Sequence, residues 1–140
     1  MGDWISIKFV DSREKGYVDS ATIYFHWAGL SALEMACEMI ELNVTERPGT
    51  AMANLAYLWG CRNGGISKMS VYLDEIPPAG DDQGDWVYDF GTKTWTVSGK
   101  WGKPGIKSYS NADAVAGAMA ENERPYTAAE NGTEEGTERV

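Results

Sequence analysis

Residues 20–40 read SATIYFHWAGLSALEMACEMI, and the fold turns on the change of rhythm inside this stretch. Up to Trp27, the residues Ile23, Phe25 and Trp27 alternate with Thr22, Tyr24 and His26, the two-residue period of a half-buried strand. Gly29 closes that run. Beyond it Leu30, Leu33, Cys37 and Ile40 recur at helical spacing, while Glu34, Glu38 and Glu41 mark another face. The sequence therefore predicts a strand over 20–27 followed by an amphipathic helix over about 30–40.

Upstream, Ile5, Ile7 and Phe9 alternate with Ser6 and Lys8, which predicts a strand over 4–10. The polar run 11–16 ends in a glycine and reads as the start of a long hairpin loop between the two strands. Downstream, Thr45-Glu46-Arg47-Pro48-Gly49 breaks the helix, and a second is expected over 50–61 through Met52, Leu55, Tyr57, Leu58 and Trp59. No formal charge lies between Gly49 and Cys61, so that helix is expected to be largely buried.

Strand character returns over 68–76, where Met69, Val71 and Leu73 share a face, and Pro77-Pro78 ends it. Residues 86–90 and 94–97 flank Gly91-Thr92-Lys93, which reads as a three-residue hairpin connection. Residues 98–107 are rich in glycine and lysine and read as an irregular extension of the last strand. A short helix capped by Asn111 is expected after Ser110, and from about Glu123 the composition is that of a disordered tail. Runs of strands around a helix pair favour the α+β class over strict βαβ alternation. The expected architecture is an antiparallel sheet, in the main, of about five strands with the helix pair packed on one face. Residues 1–110 are expected to form one globular domain, and 111–140 an acidic tail with a short helix.

A chain of 140 residues has room for one such domain and buries a sizeable core without help from a disulfide or metal. Its 21 carboxylates against 12 cations give a net charge of −9, which argues against a general nucleic-acid binder. The charge is uneven: residues 1–110 carry 14 acidic and 10 basic side chains, residues 111–140 carry 7 and 2. Met1-Gly2-Asp3-Trp4 shows no signal-peptide pattern and no window approaches a membrane span, so a cytoplasmic setting is expected. Cys37 and Cys61 are expected to be reduced, buried thiols.

No catalytic set is legible. His26 is the one histidine, and nothing in the sequence places a nucleophile or orienting carboxylate beside it. Walker, kinase and nucleophile-elbow motifs are absent, and Asp81, Asp82 and Asp85 lack the spacing of a Ca²⁺ loop. No cofactor and no metal site is expected. The residues that read as binding candidates are Tyr24 and His26, on the polar side of their strand, with Trp101 and Lys103 in a glycine-, lysine- and proline-rich loop. Trp101 is one of six tryptophans and the one whose surroundings suit an exposed interface anchor.

The segment Tyr24-Phe25-His26-Trp27-Ala28-Gly29, followed by two helices and the 85–97 hairpin, resembles a loose group of small phage, prophage and plasmid proteins. Those proteins open with a strand hairpin ending in a Tyr-x-His-Trp-x-Gly-like segment. The resemblance spans about residues 4–97, and only the hexapeptide is a motif. It implies an accessory protein of a mobile element or virus and brings no catalytic residues. The resulting expectation is a non-enzymatic protein that binds a host or viral protein, with inhibition of a nucleic-acid-handling or defence system as its narrower form. The alternatives are a small-ligand protein or enzyme built around Tyr24 and His26, or a minor virion or assembly component. No membrane partner is expected.

Overall fold

Two isoleucines and a phenylalanine on one face of the first strand set the core. In β1 (Ile5–Val10), Ile5, Ile7 and Phe9 are wholly buried. This structure, a computed structural model, describes residues 4–13, 19–26, 29–42, 46–62, 69–72, 83–98 and 105–123. Strand β2 (Thr22–Phe25) pairs antiparallel with β1, placing Ile5 opposite Phe25 and Ile7 opposite Ile23. Ser20 pins the base of this hairpin: the Phe9 amide donates to its Oγ at 2.9 Å, and its own amide donates to the Phe9 carbonyl at 2.9 Å. Strand β2 ends two residues earlier than the alternation suggests, with His26 already in a turn, and Trp27 lies outside the described residues.

Gly29 has φ of 58°, a left-handed conformation that a side chain disfavours, and it turns the chain into α1 (Ser31–Leu42). Helix α1 buries Leu33, Ala36, Cys37 and Met39 and exposes Glu34, Glu38 and Glu41, the division its spacing predicts. Helix α2 (Pro48–Arg62) starts at Pro48, earlier than expected. Proline at the first helical position lacks only an amide that would have no partner there. The Ala51 amide closes the first turn on the Arg47 carbonyl at 2.9 Å. Lack of charge misled about burial: Ala51, Met52, Leu55 and Trp59 face the core, but Tyr57 is 72% exposed and Cys61 is exposed too.

The sheet has six strands in the order β3-β2-β1-β4-β5-β6, where about five were expected. Strands β3 (Met69–Tyr72), β4 (Asp85–Asp89), β5 (Thr94–Ser98) and β6 (Ile106–Ser110) complete it. Every neighbouring pair is antiparallel except β1 and β4, which run parallel with Ile7 opposite Trp86. The α+β class holds, with a mixed and mostly antiparallel sheet. The extra strand is β6, where a glycine- and lysine-rich extension was expected; pairing with β5 makes Ile106–Ser110 regular.

One sheet face carries Ile7, Phe9, Phe25, Trp86, Tyr88, Trp95 and Val97, all buried under the helices. Burying these rings and branched chains, at about 25 cal/mol per Å² of apolar surface, is the main source of stability. The helix expected after Ser110 is α3 (Ala114–Glu123), and its Ala114 and Ala118 pack into the same core. Asn111 is not its cap. The Gly117 amide donates to the Asp113 carbonyl at 2.8 Å, and the Asp113 amide meets Ser110, so Asp113 opens the helix.

Candidate binding site

Two of the four residues singled out in the sequence meet in the fold. Tyr24 and His26 point to the sheet face away from the helices and join Trp4 there. The Tyr24 and His26 rings lie 5.0 Å apart edge to face, and Trp4 stands 5.4 Å from Tyr24 and 5.8 Å from His26. Tyr24 is only 6% exposed, so its ring serves this cluster rather than an open surface, and His26 is half-buried. Trp101 and Lys103 lie outside the described residues, as do Asp81 and Asp82.

A different constellation forms on the helix side. The β4–β5 hairpin turns through Phe90–Lys93, one residue more than expected, and the Lys93 amide donates to the Asp89 carbonyl at 2.7 Å. Lys93 adopts φ of 60° to close this turn. Gly91 is required because a Cβ there would stand 2.4 Å from Ser12 Oγ and 3.1 Å from the Arg13 nitrogen. Asp89 ties the hairpin to the end of β1: its Oδ1 accepts from the Ser12 amide at 2.9 Å and the Gly91 amide at 2.7 Å. Burial opposes ionisation of Asp89, but the donors from Ser12, Gly91 and Thr92 win and hold its carboxyl below the usual value.

Beside the hairpin, Arg13 grips Asp11 through Nε at 2.9 Å and Nη2 at 2.7 Å, and reaches Glu46 through Nη1 at 2.9 Å. Lys93 approaches the other Glu46 oxygen at 3.4 Å. The Arg13 hydrogen bond and the Lys93 charge together hold the Glu46 carboxyl below its ordinary value.

Asn111 knits the third wall. Its Oδ1 accepts from Trp95 Nε1 at 2.8 Å, and its Nδ2 donates to the Cys37 carbonyl at 3.0 Å and Glu41 Oε2 at 3.2 Å. Between α1 and this corner lies an open hollow of about 560 Å³ lined by Glu34, Cys37, Glu38, Glu41, Asn111, Ala112 and Val115. A second hollow of about 300 Å³ adjoins it, sharing Glu41, Asn111 and Ala112 and adding Ile40, Glu46, Tyr88, Phe90 and Lys93. The two hollows lie side by side, both bordered by Glu41, Asn111 and Ala112, and are together termed the trough.

The trough is acidic. Glu38 has Arg62 at 3.0 Å, a pair in which both side chains are more than half exposed. Among the described residues no cation stands within ion-pair distance of Glu34 or Glu41. Cys37 is held against its thiolate form: burial pushes its thiol up to about 12, with a Trp95 hydrogen bond opposing the rise. Among the described residues no three His, Cys, Asp or Glu side chains gather closely enough to hold a metal, and no helix is long and apolar enough to cross a membrane.

The fold and site thus define a small α+β protein with an acidic trough on its helical face. Compared with models of protein families, with curated proteins and with solved structures, the chain matches none. The sequence signalled Glu34, Glu38 and Glu41 only as a solvated helix face; Tyr88, Lys93 and Asn111 carried no signal of a shared site.

Proposed function

We propose that the protein is a non-catalytic binding module that holds an extended basic segment of a partner protein in the trough along α1. The observation carrying this reading is the row of carboxylates that walls the trough. Glu34 and Glu38 are separated by a rise of about 6 Å along the helix. Alternate residues of an extended peptide stand about 6.8 Å apart, so side chains on one face of such a peptide match the row. Carboxylates facing Arg and Lys also suit a partner whose basic groove otherwise holds phosphate. An inhibitor of a nucleic-acid-handling host or viral protein, acting in the cytoplasm without a cofactor, is the biological form of this reading.

The test is a titration of isotopically labelled protein with a capped Arg-Ser-Arg-Ser-Arg peptide, followed by amide shifts. Shifts are expected along α1 and at Asn111 and Ala112, with binding weakened several-fold as salt rises past about 0.15 M. The double substitution Glu38→Gln, Glu41→Gln is expected to abolish them. Absence of binding, or shifts centred on Trp4, Tyr24 and His26, refutes the trough; the latter result favours the small-ligand alternative.

A further inference from the structure

Exposed carboxylates pair weakly with a ligand that water also solvates, so the wall of glutamates alone gives attraction with little selectivity. The smaller hollow differs in kind. Tyr88 lines it, yet the residue is 4% exposed, and within the described residues its hydroxyl makes no hydrogen bond. The hydroxyl is not sealed from solvent, so water meets it in the free protein, and a ligand donor or acceptor entering the hollow can take that place. Burial, together with the fields of Glu46 and Glu41, raises the Tyr88 pKa and keeps the phenol neutral, able to accept and donate at once.

Resting on the trough reading above, we infer that the hollow bounded by Tyr88, Glu41, Glu46 and Phe90 is an anchor pocket for one arginine side chain of the bound segment. The acceptors come from three directions: Glu41 from α1, Glu46 from the segment before α2, and Tyr88 from β4. A planar guanidinium with five donors spans such a divergent set, whereas a compact ammonium satisfies one side of it. Ile40 and Phe90 supply apolar walls for the aliphatic stem. Lys93 is the chain's own occupant of the rim. Its ammonium, 68% exposed and 3.4 Å from Glu46, is held loosely and yields to the incoming group.

The experiment is calorimetric titration of the wild type and Tyr88→Phe with the capped Arg-Ser-Arg-Ser-Arg peptide and its lysine counterpart, which carries equal charge. The wild type is expected to prefer the arginine peptide by about five- to tenfold, the effect of one added buried hydrogen bond. Tyr88→Phe is expected to reduce that preference to within about twofold while leaving the lysine peptide unchanged. Equal wild-type affinities, or a preference surviving in Tyr88→Phe, overturn the pocket while leaving the acidic trough standing. Failure of both peptides to bind overturns both readings. Should Tyr88→Phe fold poorly, Lys93→Met reads the same pocket from its rim. Removing the competing ammonium is expected to strengthen the arginine peptide about two- to threefold, and an unchanged or weaker affinity overturns the assignment.

Discussion

Replacing Gly117 with alanine sets two known effects against each other. In a helix interior the change ordinarily stabilises by about 1 kcal/mol, since glycine loses more backbone freedom on folding. At Gly117, however, a Cβ would stand 2.2 Å from Tyr109 Cε1 and 2.7 Å from Cδ1 and Cζ. Carbon atoms settle at about 3.5–4.0 Å, so the ring or the helix must move by more than about 1 Å. Tyr109 has little room, being stacked on Trp86 at 6.0 Å and 28°, and Trp86 is 1% exposed. Moving α3 instead uncovers Ala114 and Ala118. Overpacking of this kind costs about 1–3 kcal/mol, which outweighs the helical gain and leaves a net loss of about 1 kcal/mol. Gly60, near the end of α2, is the internal control, because nothing lies within 4 Å of a Cβ built there. Gly60→Ala is expected to gain about 0.5 kcal/mol. Urea unfolding followed by far-UV circular dichroism gives both numbers from midpoints at constant slope, and a loss of this size lowers the midpoint by roughly 0.5 M. A Gly117→Ala midpoint raised to match Gly60→Ala refutes the seating of α3 on Tyr109.

Two further outcomes follow from the electrostatics. Asp89→Ala removes the acceptor that joins the β4–β5 hairpin to the end of β1, at a cost of about 1–2 kcal/mol near neutral pH. Because the folded-state pKa of Asp89 is depressed, this contribution is present above the usual carboxylate range and fades as pH falls through the folded value. Urea midpoints of wild type and variant are therefore expected to converge on acidification, and a gap that stays constant to the lowest pH contradicts the account. The two thiols should separate cleanly under iodoacetamide at mildly alkaline pH. Exposed Cys61 is alkylated in the native protein, while Cys37, buried with its thiol pushed up to about 12, reacts only in denaturant. Equal native labelling of both by mass spectrometry contradicts the packing of α1.

Where the chain's periodicity is strong, local pattern and fold agree. The alternation of Ile5, Ile7 and Phe9 and the helical spacing of Leu33 and Cys37 each survive because burial enforces them face by face. Helix α2 shows the limit of reading charge as exposure. Tyr57 is neutral and aromatic yet faces solvent, since a helix packed on one side must leave its other side open. Strand β6 shows a different limit. Ile106-Lys107-Ser108-Tyr109-Ser110 has no apolar alternation, and only the ladder to β5 makes it extended. The parallel pairing of β1 with β4 has no local signature either, because it joins segments about eighty residues apart through contacts such as Ser6 Oγ donating to Asp85 Oδ1 at 2.6 Å.

The trough was hidden for the same reason. Glu34, Glu38 and Glu41 become one wall of a site only when Asn111, some seventy residues on, fixes the opposite corner against α1. An asparagine before a helix looks like a cap, and here its side chain instead joins Trp95, Cys37 and Glu41. That bracing bears on binding as well as on stability. A trough whose corner is held by three hydrogen bonds is already shaped, so under the proposed function its ordering would cost a complex little. The body of residues 1–110 is only mildly acidic, and along the trough Glu38 is paired with Arg62 and Glu46 with Arg13 and Lys93, so the local negative field comes chiefly from Glu34 and Glu41. On the proposed reading a cationic segment would meet that local field, focused by the low-dielectric walls of Ile40, Tyr88 and Phe90 rather than diluted over the whole surface.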